Sequence, residues 1–250
     1  MDQGAQQSAQ NINACRVAFF GGSFDPPHLG HLGVARAARA ALGLDTVLFA
    51  PVGAQPLKPQ GSTAGFVDRL AMTRLAIAGE PGFAVSLADT PKSSGAPNYT
   101  LETLVSLRAE LPSGSTLFCL MGADAFATLR HWHRAAEIPF VAPLIIASRP
   151  GQRLDDLMAS LPEGLAVDSL PQSDQSVEEI ELRRCILRNT AGAQAPLYLL
   201  PGLEIEISAS EIREQMLIRE QARAAAGAPP QRDLLPVPVS KYIRAHGLYR

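Results

Sequence analysis

The chain predicts an α/β fold built on a central parallel sheet. Short apolar runs alternate with helical stretches of roughly 10–15 residues, the order that builds parallel sheets through crossover helices. The first run opens straight into a Gly-Gly turn and a helix start, which places a ligand site beyond the carboxyl ends of the strands. Buried strands are expected at residues 16–20, 46–51, 116–121 and 142–148, all apolar runs bounded by turn residues. Helices are expected over 32–42, 67–78, 100–110 and 123–129. The loops after Phe20, Ala50, Met121 and Ser148 then converge on one crevice.

Residues 15–250 are expected to form one domain, and residues 1–14, polar and rich in Gln, Ala and Asn, a disordered leader. An apolar content of 46% supplies a full core, and a net charge of −2 gives no basic field for nucleic acid. No apolar run approaches the ~20 residues of a membrane span. Cys15, Cys119 and Cys185 are scattered and form no CxxC pair, so neither a disulfide framework nor a cysteine-based zinc site is expected, in keeping with a cytoplasmic protein. Residues 150–195, rich in charge, Pro and Gly, read as an insertion with a helix near 177–188, set away from the sheet. Strand pattern returns at 196–202 and 203–208, a helix opens at 208–211, and 222–232 reads as a mobile loop. A short amphipathic helix closes the chain.

The stretch Gly21-Gly22-Ser23-Phe24-Asp25-Pro26-Pro27-His28-Leu29-Gly30-His31 is the richest in chemistry. Two glycines allow close backbone approach, two prolines suit a first helical turn, and Asp25 stands at an N-cap position. His28 and His31 then lie at the positive end of a helix, where phosphate is held and its charge stabilised. Transfer of a nucleotidyl group spreads negative charge over phosphate oxygens, so such a site works by positioning and charge stabilisation. The bland alternative is a Gly-Pro turn with surface histidines. A His-x-x-His pair also suits zinc, but no third ligand lies at metal-ligand spacing.

A second anion site is expected at Ser208-Ala209-Ser210-Glu211-Ile212-Arg213, with hydroxyls at a helix start and a guanidinium one turn on. Alone it reads equally as a plain cap. Gly122-Ala123-Asp124 offers an acid after a strand for ribose hydroxyls. Trp132, the single tryptophan, either stacks on a base or belongs to the core. Asn98-Tyr99-Thr100 precedes a helix, with Thr100 as cap or as a source of nearby N–H donors. Lys58 and Arg69 are cations near the loop of the second strand. Neither a Walker A pattern nor GxGxxG is present.

Taken in order, "GGSFDPPHLGH", "PLKP…DRLAM", "NYTLETL", "GADAFATLRHW" and "ISASEIR" resemble the nicotinate-nucleotide adenylyltransferase family of the HxGH nucleotidyltransferases. The resemblance covers most of 16–149 and 196–250, and the closing "VPVSKYIRAHGLY" shares it. It implies a Rossmann-like parallel sheet flanked by helices, with a small C-terminal helical part from residue 203. It also implies transfer of AMP from ATP to nicotinate mononucleotide, with Mg²⁺ on the phosphates and pyrophosphate released.

By position, the resemblance gives His28, His31, Arg213 and Lys58 catalytic roles. Gly21, Gly22, Ser23, Phe24, His28, His31, Ser208, Ser210 and Arg213 fall on the ATP side. Asp25, Lys58, Tyr99, Thr100, Gly122, Asp124, Trp132 and His133 fall on the mononucleotide side, with no protein-held metal. Ser23, Asn98 and Ala209 stand where the family usually has Thr, Ser and Ser. Another phosphate-bearing acceptor, such as nicotinamide mononucleotide or phosphopantetheine, keeps the same chemistry. A nucleotide-binding regulator without catalysis and a histidine-zinc hydrolase are the readings from other classes.

Overall fold

The structure, a computed structural model, describes residues 14–58, 60–148, 158–169, 182–200, 208–223 and 234–250. The expected leader up to residue 13, the strand expected at 203–207 and the loop expected at 224–232 lie outside these.

Among the described residues, one eight-stranded sheet runs β3-β2-β1-β4-β5-β8-β7-β6. Its strands are β1 (Arg16–Gly22), β2 (Thr46–Pro51), β3 (Phe83–Val85), β4 (Thr116–Gly122), β5 (Leu144–Ala147), β6 (Leu165–Ser169), β7 (Arg183–Asn189) and β8 (Gln194–Leu200). From β3 to β8 every pairing is parallel. β7 and β6 then continue the sheet antiparallel. The helices are α1 (Leu29–Leu42), α2 (Phe66–Ile77), α3 (Thr100–Glu110), α4 (Ala123–Ala127), α5 (Ile138–Val141), α6 (Ala209–Arg223) and α7 (Val237–His246).

The central strands are apolar on both faces because helices cover both. In β1, Ala18 and Phe20 join the core under α1, α2 and α7, while Val17 and Phe19 join the core under α3, α4 and α5. This alternation locks the register, since a one-residue slip would exchange the two cores. β1 pairs with β2 on one side and β4 on the other, with Phe20 opposite both Phe49 and Leu120. The chain order reverses between β1 and β4, so the carboxyl ends of these strands open a crevice there.

The insertion departs from expectation. Residues 183–188 form strand β7 in place of a helix, and β6 and β7 extend the sheet instead of standing away from it. Cys185 and Leu187 point into the core while Arg184 and Arg188 are exposed, a period of two that the charged residues obscure. The helix expected over 123–129 ends at Ala127, and a 3₁₀ turn takes over at Leu129–His131. β3 and α5, three and four residues long, were too short to stand out.

Candidate active site

The crevice at the β1/β4 switch is walled on one side by the Gly21–His31 stretch. Asp25 is not the cap of α1. His28 occupies that position in extended backbone, and its N–H donates to His31 Nδ1 at 3.2 Å. The two imidazoles stack with centroids 3.7 Å apart. Because His31 Nδ1 accepts that bond, its proton sits on Nε2, which makes Nε2 the donor. Burial lowers the His28 imidazole to about 4. Burial, then the neighbouring His28, hold His31 well below its ordinary value. Both rings are therefore neutral at pH 7, in contrast to the cationic role their sequence positions invite. His28 Nδ1 is buried and has no hydrogen-bond partner among the described residues.

The start of α1 is also less open to anions than the sequence implies. Leu29 N–H donates to Leu234 O at 2.9 Å, and His31 N–H to His28 O at 3.0 Å. The imidazoles are the polar groups that this wall leaves for an anion. Phe24 sits at a φ of 47°, and its ring is wholly buried, packed edge-on against Phe20 and His31. What Phe24 offers the crevice is backbone. Gly21 is required by the protein itself, since a Cβ there would lie 2.7 Å from the Phe19 ring. Gly122, at the end of β4, is different: its φ of −77° suits any residue, and a Cβ would meet nothing within 4 Å. The space beside Gly122, at the carboxyl end of β4, is open.

Behind the loop lies Asp25, 4% exposed. Its Oδ2 accepts Thr63 N–H at 2.6 Å, and its Oδ1 accepts Ala64 N–H at 3.0 Å and the Tyr249 hydroxyl at 2.7 Å. With three protein donors already on it, this carboxylate holds the scaffold together. Arg69, 2% exposed, reaches three carbonyls: Ala64 O at 3.2 Å, Ser23 O at 2.7 Å and Val52 O at 2.8 Å. Burial lowers its pKa, and the charge on Asp25 opposes that shift. Neither the role of Arg69 nor that of Tyr249 was visible in sequence. The one clue was an arginine on the inward face of an apolar helix.

The second anion motif does meet the first. Arg213 Nη1 donates to Asp25 O at 2.6 Å across 188 residues of chain, and its Nη2 donates to Ser210 Oγ at 3.1 Å. Ser208 Oγ accepts the N–H of Ser210 at 3.2 Å, which makes Ser208 the cap of α6. Lys58 Nζ donates to Ser23 Oγ at 3.0 Å, and that hydroxyl donates to Gln55 Oε1 at 3.2 Å. Lys58 itself is exposed.

The opposite wall is built from the segment before α3 and the segment after β4. The Tyr99 and His133 rings lie 4.4 Å apart. Trp132 is half-buried against the core, and its Nε1–H donates to Thr128 Oγ1 at 3.3 Å. The core reading of its ring thus holds in part. Asp124 is exposed in the first turn of α4, and Thr100 opens α3. Asn98, buried, binds this wall to the loop after β2. Its Oδ1 accepts Ala54 N–H at 3.1 Å and its Nδ2 donates to Thr90 O at 2.9 Å. Asp89, also buried, accepts the Thr103 hydroxyl at 2.5 Å, and burial raises its pKa. No group of three or more His, Cys, Asp or Glu among the described residues is placed to hold a metal ion.

A Rossmann-like sheet with paired histidines at its switch point and an arginine-bearing helix start across from them defines a nucleotidyltransferase. The family model described as cytidylyltransferase-like matches residues 19–215. A protein of Gloeobacter violaceus named as a probable nicotinate-nucleotide adenylyltransferase is 36% identical, over 94% of this chain and 96% of its own length. One of Aeromonas hydrophila with the same name is 38% identical, over 94% and 97%. The chain belongs to the nicotinate-nucleotide adenylyltransferase family. The Plasmodium falciparum nicotinic acid mononucleotide adenylyltransferase complexed with NaAD shares the fold, with a TM-score of 0.61 and 16% identity over 94% of this chain and 97% of that one.

Proposed function

We infer that this enzyme transfers the adenylyl group of ATP to nicotinate mononucleotide, giving nicotinate adenine dinucleotide and pyrophosphate in NAD biosynthesis. Family membership supports the reaction, and one contact supports its location: the Arg213–Asp25 bond, which joins the two anion-binding motifs into one cleft. In this reading the mononucleotide phosphate attacks the α-phosphorus of ATP in line, and pyrophosphate leaves from the opposite side. His31 Nε2–H donates to the phosphate oxygens as charge builds on them, and His28 does so beside it. Neutral donors serve here because the water-poor setting strengthens each hydrogen bond.

Gly21, Gly22, Ser23 and the backbone of Phe24 line the ATP side. Ser208, Ser210 and Arg213 hold its phosphates from across the cleft, with Lys58 at the mouth. ATP arrives with Mg²⁺ as part of the substrate. Gly122 leaves room for the mononucleotide, Asp124 takes its ribose, and Trp132 stacks on its pyridine ring. The backbone of Tyr99 and Thr100, beside His133, meets the carboxylate. Asp25 serves this side indirectly, by holding the loop. Among the described residues no helix is long and apolar enough to cross a membrane, and all three cysteines are free. Both fit work in the cytoplasm.

Incubation with ATP, Mg²⁺ and nicotinate mononucleotide is expected to release pyrophosphate, faster than with nicotinamide mononucleotide. Release with neither acceptor overturns the reading.

A further inference from the structure

Tyr249 is the last residue of the closing stretch that shares the family resemblance, is 7% exposed, and its hydroxyl ends on Asp25 in the Gly21–His31 loop, 224 residues away. Its φ of 61° is a conformation that side-chain-bearing residues rarely adopt, so a specific contact must hold it there. The segment 234–250 touches the site scaffold at two further points. Leu234 O caps the first N–H of α1, and the Tyr242 hydroxyl donates to Asp68 Oδ1 at 2.9 Å on α2. Tyr249 is therefore the last of three anchors, and the one nearest the chemistry.

What it holds there matters for Arg213. That guanidinium donates to the backbone oxygen of Asp25 at 2.6 Å, but stands 3.9 Å from the carboxylate Oδ2, beyond hydrogen-bond reach. A buried carboxylate beside a guanidinium ordinarily closes into a bidentate pair. Here Oδ2 is turned toward Thr63 N–H, and Oδ1 toward Ala64 N–H and the Tyr249 hydroxyl.

We propose that Tyr249 is a positioning residue for adenylyl transfer: by fixing Oδ1 it keeps the Asp25 carboxylate from closing on Arg213, and so leaves the guanidinium available to ATP phosphates. This rests on the functional reading above, in which Arg213 binds ATP. The remaining groups around the cluster are compatible with it. Arg69 spends its donors on three carbonyls, and the Tyr249 hydroxyl is pushed far above its ordinary pKa by burial and by its bond to Asp25, so it stays a donor.

The test is steady-state kinetics of Tyr249→Phe, which keeps the ring and its packing and removes only the hydroxyl. KM for ATP is expected to rise about five- to tenfold, the scale of one hydrogen bond, with KM for nicotinate mononucleotide within about twofold. In an Arg213→Ala background the same substitution is expected to change the ATP KM no further, because its target is gone. Thr63→Pro provides a second route should Tyr249→Phe fail to fold. It removes the N–H donor on Oδ2 from an exposed loop position, and is expected to raise the ATP KM selectively as well.

A Tyr249→Phe effect that falls equally on both substrates, or that adds in full to Arg213→Ala, overturns the proposal and leaves Tyr249 a plain structural residue. An ATP KM that Thr63→Pro leaves unchanged also overturns it. Wild-type protein that releases no pyrophosphate, or Arg213→Ala with an unaltered ATP KM, removes the functional reading itself. The two failures are thus told apart by which protein shows them.

Discussion

The two walls of the cleft are made differently. The wall proposed for the phosphates is largely buried and braced: Asp25, His28, Arg69 and the Phe24 ring are buried, and Asp25 and Arg69 carry three protein contacts each. The wall proposed for the pyridine ring is more open. Tyr99 and Trp132 are half-buried, and His133 and Asp124 are exposed. In the proposed reaction the contrast matches what each wall would do. Stabilising charge that appears only in the transition state needs donors that do not reorganise at the moment of reaction. Gripping a flat ring and a ribose needs surface, and a half-buried aromatic supplies it.

This difference can be broken at several points. The largest effect is expected on the phosphate wall. His31→Ala should lower kcat by about 10²-fold or more while the fold survives, the scale for loss of one transition-state donor; single-turnover kinetics beside a thermal melt checks both halves. The second effect is on stability. The folded His28 imidazole sits at about 4 against an ordinary 6.5. Between those values the unfolded chain binds a proton that the folded chain refuses, so stability is full above about pH 6.5 and declines as pH falls toward 4. The loss is on the order of 3 kcal/mol from this residue. His31 acts in the same direction. Urea midpoints at pH 7 and pH 4.5 should therefore differ, and by less in His28→Asn.

The pyridine wall gives smaller effects of another kind. Asn98→Ala strands the Ala54 N–H and the Thr90 carbonyl, a loss of about 1–3 kcal/mol in stability. KM for the mononucleotide should rise with it, because Asn98 ties the Tyr99 segment to the loop after β2. Gly122→Val sharpens the contrast most cleanly. It should leave the melting temperature almost unchanged and raise the mononucleotide KM about tenfold, the cost of one lost contact of moderate size. A fall in melting temperature with unaltered KM would show that the space above Gly122 is not where the mononucleotide binds.

Much of this was legible in the chain. The apolar runs at 16–20, 46–51 and 116–121 announced the central strands because buried parallel strands are uniformly apolar. The motif order announced the cleft. What stayed hidden was long-range or masked by charge. Nothing near Tyr249 in sequence records that its hydroxyl crosses 224 residues to Asp25. Arg69 was only a cation near the loop of the second strand, because a buried guanidinium is recognised by the three carbonyls around it, which come from separate segments. The strand over 183–189 was read as helix because Arg183, Arg184 and Arg188 hid the inward pair Cys185 and Leu187. The sequence left both protonation states of the histidines open, since burial depends on neighbours such as Phe20 and Phe24.

The bond from the Asp25 carboxylate to the amides of Thr63 and Ala64 has a consequence in time as well as space. Loop amides ordinarily exchange with solvent deuterium quickly, through small local openings. These two are fixed to a buried carboxylate that is itself held by Tyr249, so freeing them means parting their loop from the Gly21–His31 loop at its most braced point. Thr63 lies exposed on the surface, yet its amide proton should persist in deuterated water nearly as long as those of the central strands.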